Sequence, residues 1–272
     1  NHTGGYMRFA LIALLALVSL PASAQQSPLV SMQTGDDAKG WNAVGRLNLS
    51  DRGFCTGTLI TPDLVLTAAH CLFDKETGAR IEVRDIEFLA GLRNGRAEAY
   101  RGVARAVAHP DYVYSGADEI SRTAFDVALL QLDQPIRQPS IQPIATGAPP
   151  LLGDEVGVVS YAQDRAEAPS LQQICHVIDS SRAILVLSCN VDFGSSGAPI
   201  FTVKTGVPQI VSVVSAKAEA DGQKVSLGTT LESPLAVVMA EITKDIGAVA
   251  LSGAKVNILS GGKASGAKFV KP

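Results

Sequence analysis

The stretch Asp192-Phe193-Gly194-Ser195-Ser196-Gly197-Ala198-Pro199 sets two adjacent hydroxyls between glycines, which let the backbone come close to a bound group. A serine hydroxyl attacks a carbonyl when a base takes its proton, a carboxylate fixes that base in one tautomer, and N–H donors meet the oxyanion that develops. Two upstream motifs supply the missing types: Thr67-Ala68-Ala69-His70-Cys71 offers a base, and Asp126-Val127-Ala128-Leu129-Leu130 offers a carboxylate. Of the 4 histidines, His2 precedes the expected mature chain, which leaves His70, His109 and His176. His109 and Asp111 fall in His109-Pro110-Asp111-Tyr112, where proline and aspartate favour a turn, so structural roles are expected there. No histidine follows Ser196, so its base must come from upstream.

The elements that must position these groups read as strands. The chain has 272 residues, 46% of them hydrophobic but only 5% aromatic, with 25 glycines, a balance that suits many short, turn-linked strands. Apolar or alternating runs at Val44–Leu49, Phe54–Ile60, Leu64–Ala68, Ile86–Leu92, Gly102–Ala108 and Val127–Leu132 predict a first antiparallel barrel. The prolines at 135, 139, 143, 149 and 150 make residues 134–150 a connector rather than a central strand. A second set of six follows at Val156–Tyr161, Leu171–Ile178, Ala183–Leu187, Ala198–Val203, Gln209–Ser215 and Val225–Leu231. Ser233 as N-cap and Pro234 at the first position then open a helix through Ile242. The expected division is a loosely held arm over 25–40, a first barrel with the connector over 41–150, a second barrel with the helix over 151–246, and a flexible tail over 247–272.

A formal net charge of −3 gives no basic face for nucleic acid, and no nucleic-acid partner is expected. Met7-Arg8, the apolar run Phe9–Leu20 and Ala22-Ser23-Ala24 have the pattern of a secretory signal over residues 7–24, too short for a membrane span. A secreted or periplasmic chain beginning at Gln25 is therefore expected, without stable membrane association after cleavage. Export makes the 4 cysteines, at 55, 71, 175 and 189, candidates for two disulfides. Pairing between sequence neighbours would close loops of 16 and 14 residues, each stabilising by about 3 kcal/mol, but spacing leaves all three connectivities open. No H-E-x-x-H, EF-hand loop or Cys/His cluster is present, so neither metal nor cofactor is expected.

Phe54-Cys55-Thr56-Gly57-Thr58-Leu59-Ile60, Val65-Leu66-Thr67-Ala68-Ala69-His70-Cys71, Asp126-Val127-Ala128-Leu129-Leu130 and Gly194-Ser195-Ser196-Gly197-Ala198-Pro199 together resemble the chymotrypsin/trypsin family of serine endopeptidases. The resemblance implies an all-β, chymotrypsin-like fold of two six-stranded antiparallel β-barrels with a C-terminal helix. It implies His70 as general base, Asp126 as its orienting partner, Ser196 as nucleophile, and the N–H groups of Gly194 and Ser196 as the oxyanion hole. It also implies Cys55–Cys71 and Cys175–Cys189 bridges. Chain order agrees, since His, Asp, Ser is the chymotrypsin order, whereas α/β-hydrolases run Ser, Asp, His.

Two departures from the family pattern bear on activity. Ser195 stands where trypsin-like enzymes carry the aspartate that pairs with a newly freed N-terminal amine, so that switch cannot operate here and an oxyanion loop ordered without it is expected. Asn190 stands where an aspartate binds Arg or Lys, and a neutral amide cannot make that charge-assisted pair. Ser215-Ala216-Lys217 resembles the substrate-aligning segment, with Lys217 either favouring an acidic side chain or, by default, facing solvent. The expected activity is cofactor-free peptide-bond hydrolysis on a protein or peptide substrate by a secreted monomer. The rival readings are a catalytically silent binding protein of the same fold and an esterase using the same triad.

Overall fold

The computed structural model describes residues 26–115, 119–181, 183–220 and 222–253. The secretory pattern at 7–24 and residues 254–272 of the expected tail lie outside the described residues. Within them, β1 (Leu29–Ser31) is followed by β2 (Val44–Asn48), β3 (Phe54–Thr61), β4 (Leu64–Thr67), β5 (Glu87–Ala90), β6 (Ala99–Ala108), helix α1 (Glu119–Ala124) and β7 (Ala128–Leu132). Strands β2-β3-β4-β7-β6-β5 close into an antiparallel barrel. All four residues of β4, Leu64-Val65-Leu66-Thr67, are buried, as expected of a short apolar run with turn residues on its flank. The histidine motif begins at the last residue of β4, Thr67, and burial continues through Ala68 and Ala69.

The second barrel contains β8 (Glu155–Ala162), β9 (Arg165–Ser181), β10 (Ile184–Leu187), β11 (Pro199–Thr202), β12 (Gln209–Ala220) and β13 (Gln223–Thr230). Its strands run in the order β9-β10-β13-β12-β11-β8, and the β8–β9 pairing closes the ring. Each of the twelve expected runs contributes a barrel strand. The longest extensions beyond expectation are at β9 and β12, whose outer ends are polar hairpins that no hydrophobic pattern marks.

Three segments differ from expectation. The arm expected over 25–40 is, from residue 26 on, held rather than loose: β1 pairs antiparallel with Ser170–Gln172 of β9, and the Ser27 amide donates to the Ile174 carbonyl at 2.9 Å. Helix α1 was not anticipated between the Asp111 turn and β7. The C-terminal helix α2 spans Glu232–Gly253, so it takes in residues 247–253 of the expected tail. Its first bond runs from the Leu235 amide to the Leu231 carbonyl, which places Ser233 inside the first turn instead of at the cap. Leu235, Val238 and Ile242 are buried at helical spacing, and Arg105 of β6 donates to the Ile242 carbonyl at 2.9 Å.

The connector over 134–150 carries no strand among the described residues, only a parallel bridge between Thr146 and Ile210. It is pinned by Ile136, Ile141 and Ile144, all buried. One apolar cluster joins the barrels, because Val159, Tyr161, Phe201 and Val213 of the second pack into the core of the first. Buried polar bonds fix the relative placement: the Tyr161 hydroxyl donates to the Leu92 carbonyl at 2.9 Å, and the Tyr161 amide donates to Thr56 Oγ1 at 3.1 Å. Disulfides join Cys55 to Cys71 and Cys175 to Cys189, with Cα separations of 6.2 Å and 5.0 Å.

Candidate active site

His70 lies in a short 3-10 turn, Ala69–Leu72, that leaves the end of β4. Cys71 anchors that turn to Cys55 of β3, so the histidine corner is braced covalently against the neighbouring strand. Asp126 lies just before β7, the strand that pairs with β4, so sheet register sets the two residues side by side. The contact is double: Asp126 Oδ1 accepts the His70 backbone N–H at 2.8 Å, and Oδ2 accepts from His70 Nδ1 at 2.7 Å. With Nδ1 donating to a carboxylate, Nε2 is the free basic nitrogen. Asp126 is 3% exposed, and its Oδ2 also accepts from the Ser215 hydroxyl.

Ser215 reaches that carboxylate because the β12–β13 register shifts between Val214 and Ala216, a bulge that re-aims the side chain. Its observed contact is therefore with Asp126, in addition to its place in the cavity wall. Burial first, and then the charge of Asp126, push the Tyr112 phenol above its ordinary value, so it stays protonated.

The Asp192–Pro199 loop, which carries Ser196, belongs to the second barrel but is gripped by the first. On β3, Thr56 donates its amide to the Ser196 carbonyl at 2.9 Å and its hydroxyl to the Gly194 carbonyl at 2.9 Å. The Gly197 amide donates to the Val214 carbonyl at 2.7 Å, those of Ser195 and Ala198 are used within the turn, and among the described residues none accepts from Gly194 or Ser196. An oxyanion hole requires a pair of uncommitted N–H donors of this kind. Gly194 at φ 96° and Gly197 at φ 76° are both left-handed. At Gly197 a Cβ would fall 2.1 Å from Thr67 Oγ1 and 2.5 Å from the Thr56 carbonyl, so no side chain fits.

His70 and Ser196 line one cavity of about 380 Å³, together with Lys75, Asp192, Phe193, Val214 and Lys217 among others. Asn190 is not in that set. It is exposed, donates its amide to Gln172 Oε1 at 2.7 Å, and lines an adjoining cavity of about 550 Å³ that shares Val191, Asp192 and Lys217 with the first. Lys217 does not merely face solvent: its Nζ is 2.8 Å from Asp192 Oδ1 and 3.9 Å from the centre of the Phe193 ring. The hydrogen bond from Lys217 and a second from the Phe193 amide hold the Asp192 carboxyl below its ordinary value. Cys55, His70 and Cys71 converge within 4.8 Å of one another, but the disulfide removes both thiolates that a metal would need.

The remaining histidines stay apart from this cavity. His109 is buried and stacked on Phe125 at 4.8 Å, and its Nδ1 accepts the Asp111 amide at 3.1 Å, a turn-stabilising contact. His176 lies on β9, where its amide donates to Ser188 Oγ at 2.9 Å. Sequence reasoning missed Thr56, Asp192, Phe193 and Lys75 as parts of the site. Of these, only Asp192 and Phe193 carry a local signal, since they adjoin the two serines.

The family model described as Trypsin matches residues 32–233. The chain belongs to the trypsin family. It is 27% identical over 172 residues to Serine protease 23 of Mus musculus and to that of Rattus norvegicus, a match covering 57% of this chain and 44% of each relative. The chain thus spans less than half the length of those relatives. Among solved structures, the Glu endopeptidase in complex with MPD superposes with a TM-score of 0.66 at 16% identity, covering 80% of this trypsin-family chain and 97% of that one. That likeness places both in the same two-barrel fold.

Proposed function

We propose that this trypsin-family chain is an exported serine endopeptidase, with Ser196 as nucleophile, His70 as general base, Asp126 as the group that orients it, and the Gly194 and Ser196 N–H groups as oxyanion donors. The observation that carries the reading is the double contact of Asp126 with His70 in a cavity that also holds Ser196. His70 Nε2 takes the Ser196 proton as Oγ attacks the peptide carbonyl. The resulting oxyanion is met by the two idle amides, and Nε2 returns the proton to the departing amine. Water then repeats the sequence on the acyl-enzyme, releasing the acid and restoring Ser196. Asp126 holds the ring through Nδ1–H and stabilises the imidazolium.

The disulfides are consistent with an oxidising compartment, secreted or periplasmic. A neutral Asn190 outside the cavity of Ser196 argues against strict cleavage after Arg or Lys. The test is labelling by a fluorophosphonate probe together with digestion of a peptide library. Wild type is expected to label and to cleave, and Ser196→Ala to do neither while keeping its fold. Labelling that persists in Ser196→Ala or moves to Ser195 overturns the assignment. Ester turnover without peptide cleavage would indicate an esterase, and neither activity a silent binding protein.

A further inference from the structure

Ser195, next to the proposed nucleophile, is fully buried, so its hydroxyl must be satisfied by protein. Its Oγ accepts the Asp192 amide at 3.3 Å and Nη2 of Arg165 at 3.4 Å, and lies 3.2 Å from both the Tyr161 carbonyl and Ser160 Oγ. A serine has one proton to give, so one of those last two oxygens receives it. Arg165 Nη2 also donates to Ser160 Oγ at 3.1 Å. The guanidinium is thus aimed at a cluster of neutral oxygens. Of the two carboxylates that act on it, Asp164 pairs at 3.3 Å but is itself 73% exposed, and Asp192 acts at longer range, without a direct bond.

Arg165 occupies the first position of β9, opposite Ala162 of β8, on a hairpin that runs under the nucleophile loop. The same hairpin makes two further contacts with that loop. The Gln163 amide donates to the Phe193 carbonyl at 2.7 Å, and the space where a Gly194 Cβ would stand is 3.1 Å from the Ala162 Cα. Arg165 is largely buried, its Nε has no hydrogen-bond partner, and desolvation lowers its pKa first of all. A long cation held in that state has a cost that ordinary packing does not require.

We infer that Arg165 is a positioning residue: through Ser195 and Ser160 it holds the nucleophile loop in the conformation that presents the Gly194 and Ser196 amides to substrate. The inference rests on the catalytic reading above. It also accounts for a loop ordered with serine at 195, since the hairpin delivers a cation from within the chain where position 195 itself offers no carboxylate to bind a freed terminal amine. Thr56 holds the same loop from the opposite barrel by two bonds to its carbonyls. The loop is therefore gripped from both sides, by β3 at its backbone and by Arg165 at its side chain.

The experiment compares wild type, Arg165→Gln, Arg165→Lys, Ser195→Asp and the Arg165→Gln/Ser195→Asp double variant. Arg165→Gln should lower kcat on a chromogenic peptide about tenfold or more with KM within about twofold, because transition-state donors are displaced while substrate binding is kept. Amide hydrogen exchange over 192–198 should rise about tenfold, while β2 (44–48) and β4 (64–67) exchange as in wild type. Adding Arg165→Gln to Ser195→Asp should cost about a hundredfold in kcat, since it strands a buried carboxylate; a packing role alone gives simple additivity. Should Arg165→Gln fail to fold, Arg165→Lys carries the same comparison, with intermediate exchange expected. Unchanged exchange over 192–198 in the folded variant overturns the inference whether or not the chain cleaves peptide. Absence of fluorophosphonate labelling in wild type would instead overturn the serine-hydrolase reading and leave the exchange result to decide the role of Arg165.

Discussion

Asp126 grips His70 at two points, accepting the backbone amide on Oδ1 at 2.8 Å and the ring Nδ1 on Oδ2 at 2.7 Å, so both the position and the tautomer of the imidazole depend on one buried carboxylate. Asp126→Asn keeps the shape but offers an NH2 group where an acceptor is needed, which favours the wrong tautomer. A fall in kcat of about 10³–10⁴-fold is expected with the fold preserved. Steady-state kinetics beside circular dichroism would check this; a variant within about tenfold of wild type would remove Asp126 from the proposed mechanism.

Gly197 is the position where backbone and space are both most restrictive. Its φ of 76° disfavours any side chain, and a Cβ would meet Thr67 Oγ1 at 2.1 Å and the Thr56 carbonyl at 2.5 Å. Strain and overpacking together set the expected loss for Gly197→Ala at about 3 kcal/mol or more. Urea denaturation at neutral pH measures it, and a loss below about 1 kcal/mol would show that β3 can move away from the loop.

His109 links stability to pH. Burial holds its pKa below the ordinary 6.5, with Asp111 opposing more weakly. Because the folded value is lowered, the unfolded chain binds more protons below pH 6.5, so stability is fully present above that value and falls as pH drops through it towards the folded pKa. The Nδ1 lone pair is already used by the Asp111 amide, which gives the sign a structural cause. His109→Gln should lose less stability than wild type between about pH 7 and pH 5. Parallel pH profiles of the two proteins would contradict the assignment.

Lys217 and Asp192 form an ion pair between β12 and the loop that carries Ser196, in the wall shared by the two cavities. Both side chains are about half exposed, 48% and 49%, so the pair is worth only about 0–1 kcal/mol and its effect should appear in specificity, not stability. Asp192→Asn releases the Lys217 ammonium into the cavity. We expect melting within about 2 °C of wild type and a rise of about tenfold in kcat/KM for substrates with an acidic residue before the scissile bond. Library profiling of the two proteins tests this, and identical cleavage profiles would exclude Lys217 from substrate selection.

Twelve barrel strands and the proline-rich connector were legible because they are local: apolar runs of four to eight residues bounded by turn chemistry mark a buried strand wherever it later pairs. The His70, Asp126 and Ser196 motifs were legible for the same reason, each being a short stretch with its own composition. The arm and α1 were not. Residues 29–31 become a strand only through pairing with β9, and α1 is too short to show helical periodicity.

What the chain alone determined was the supply of groups: one hydroxyl loop, upstream histidine and aspartate motifs, four cysteines, and a serine and an asparagine where charges are usual in the family. The tertiary structure decided which of these meet. It removed Asn190 to a neighbouring cavity, turned Ser215 onto Asp126 through a bulge, and brought Thr56 and Arg165, 138 and 30 residues distant from the loop residues they contact, to opposite sides of the loop that carries Ser196. Such contacts follow from barrel closure and strand register, which are cooperative properties of the whole sheet and leave no mark on any single stretch of sequence.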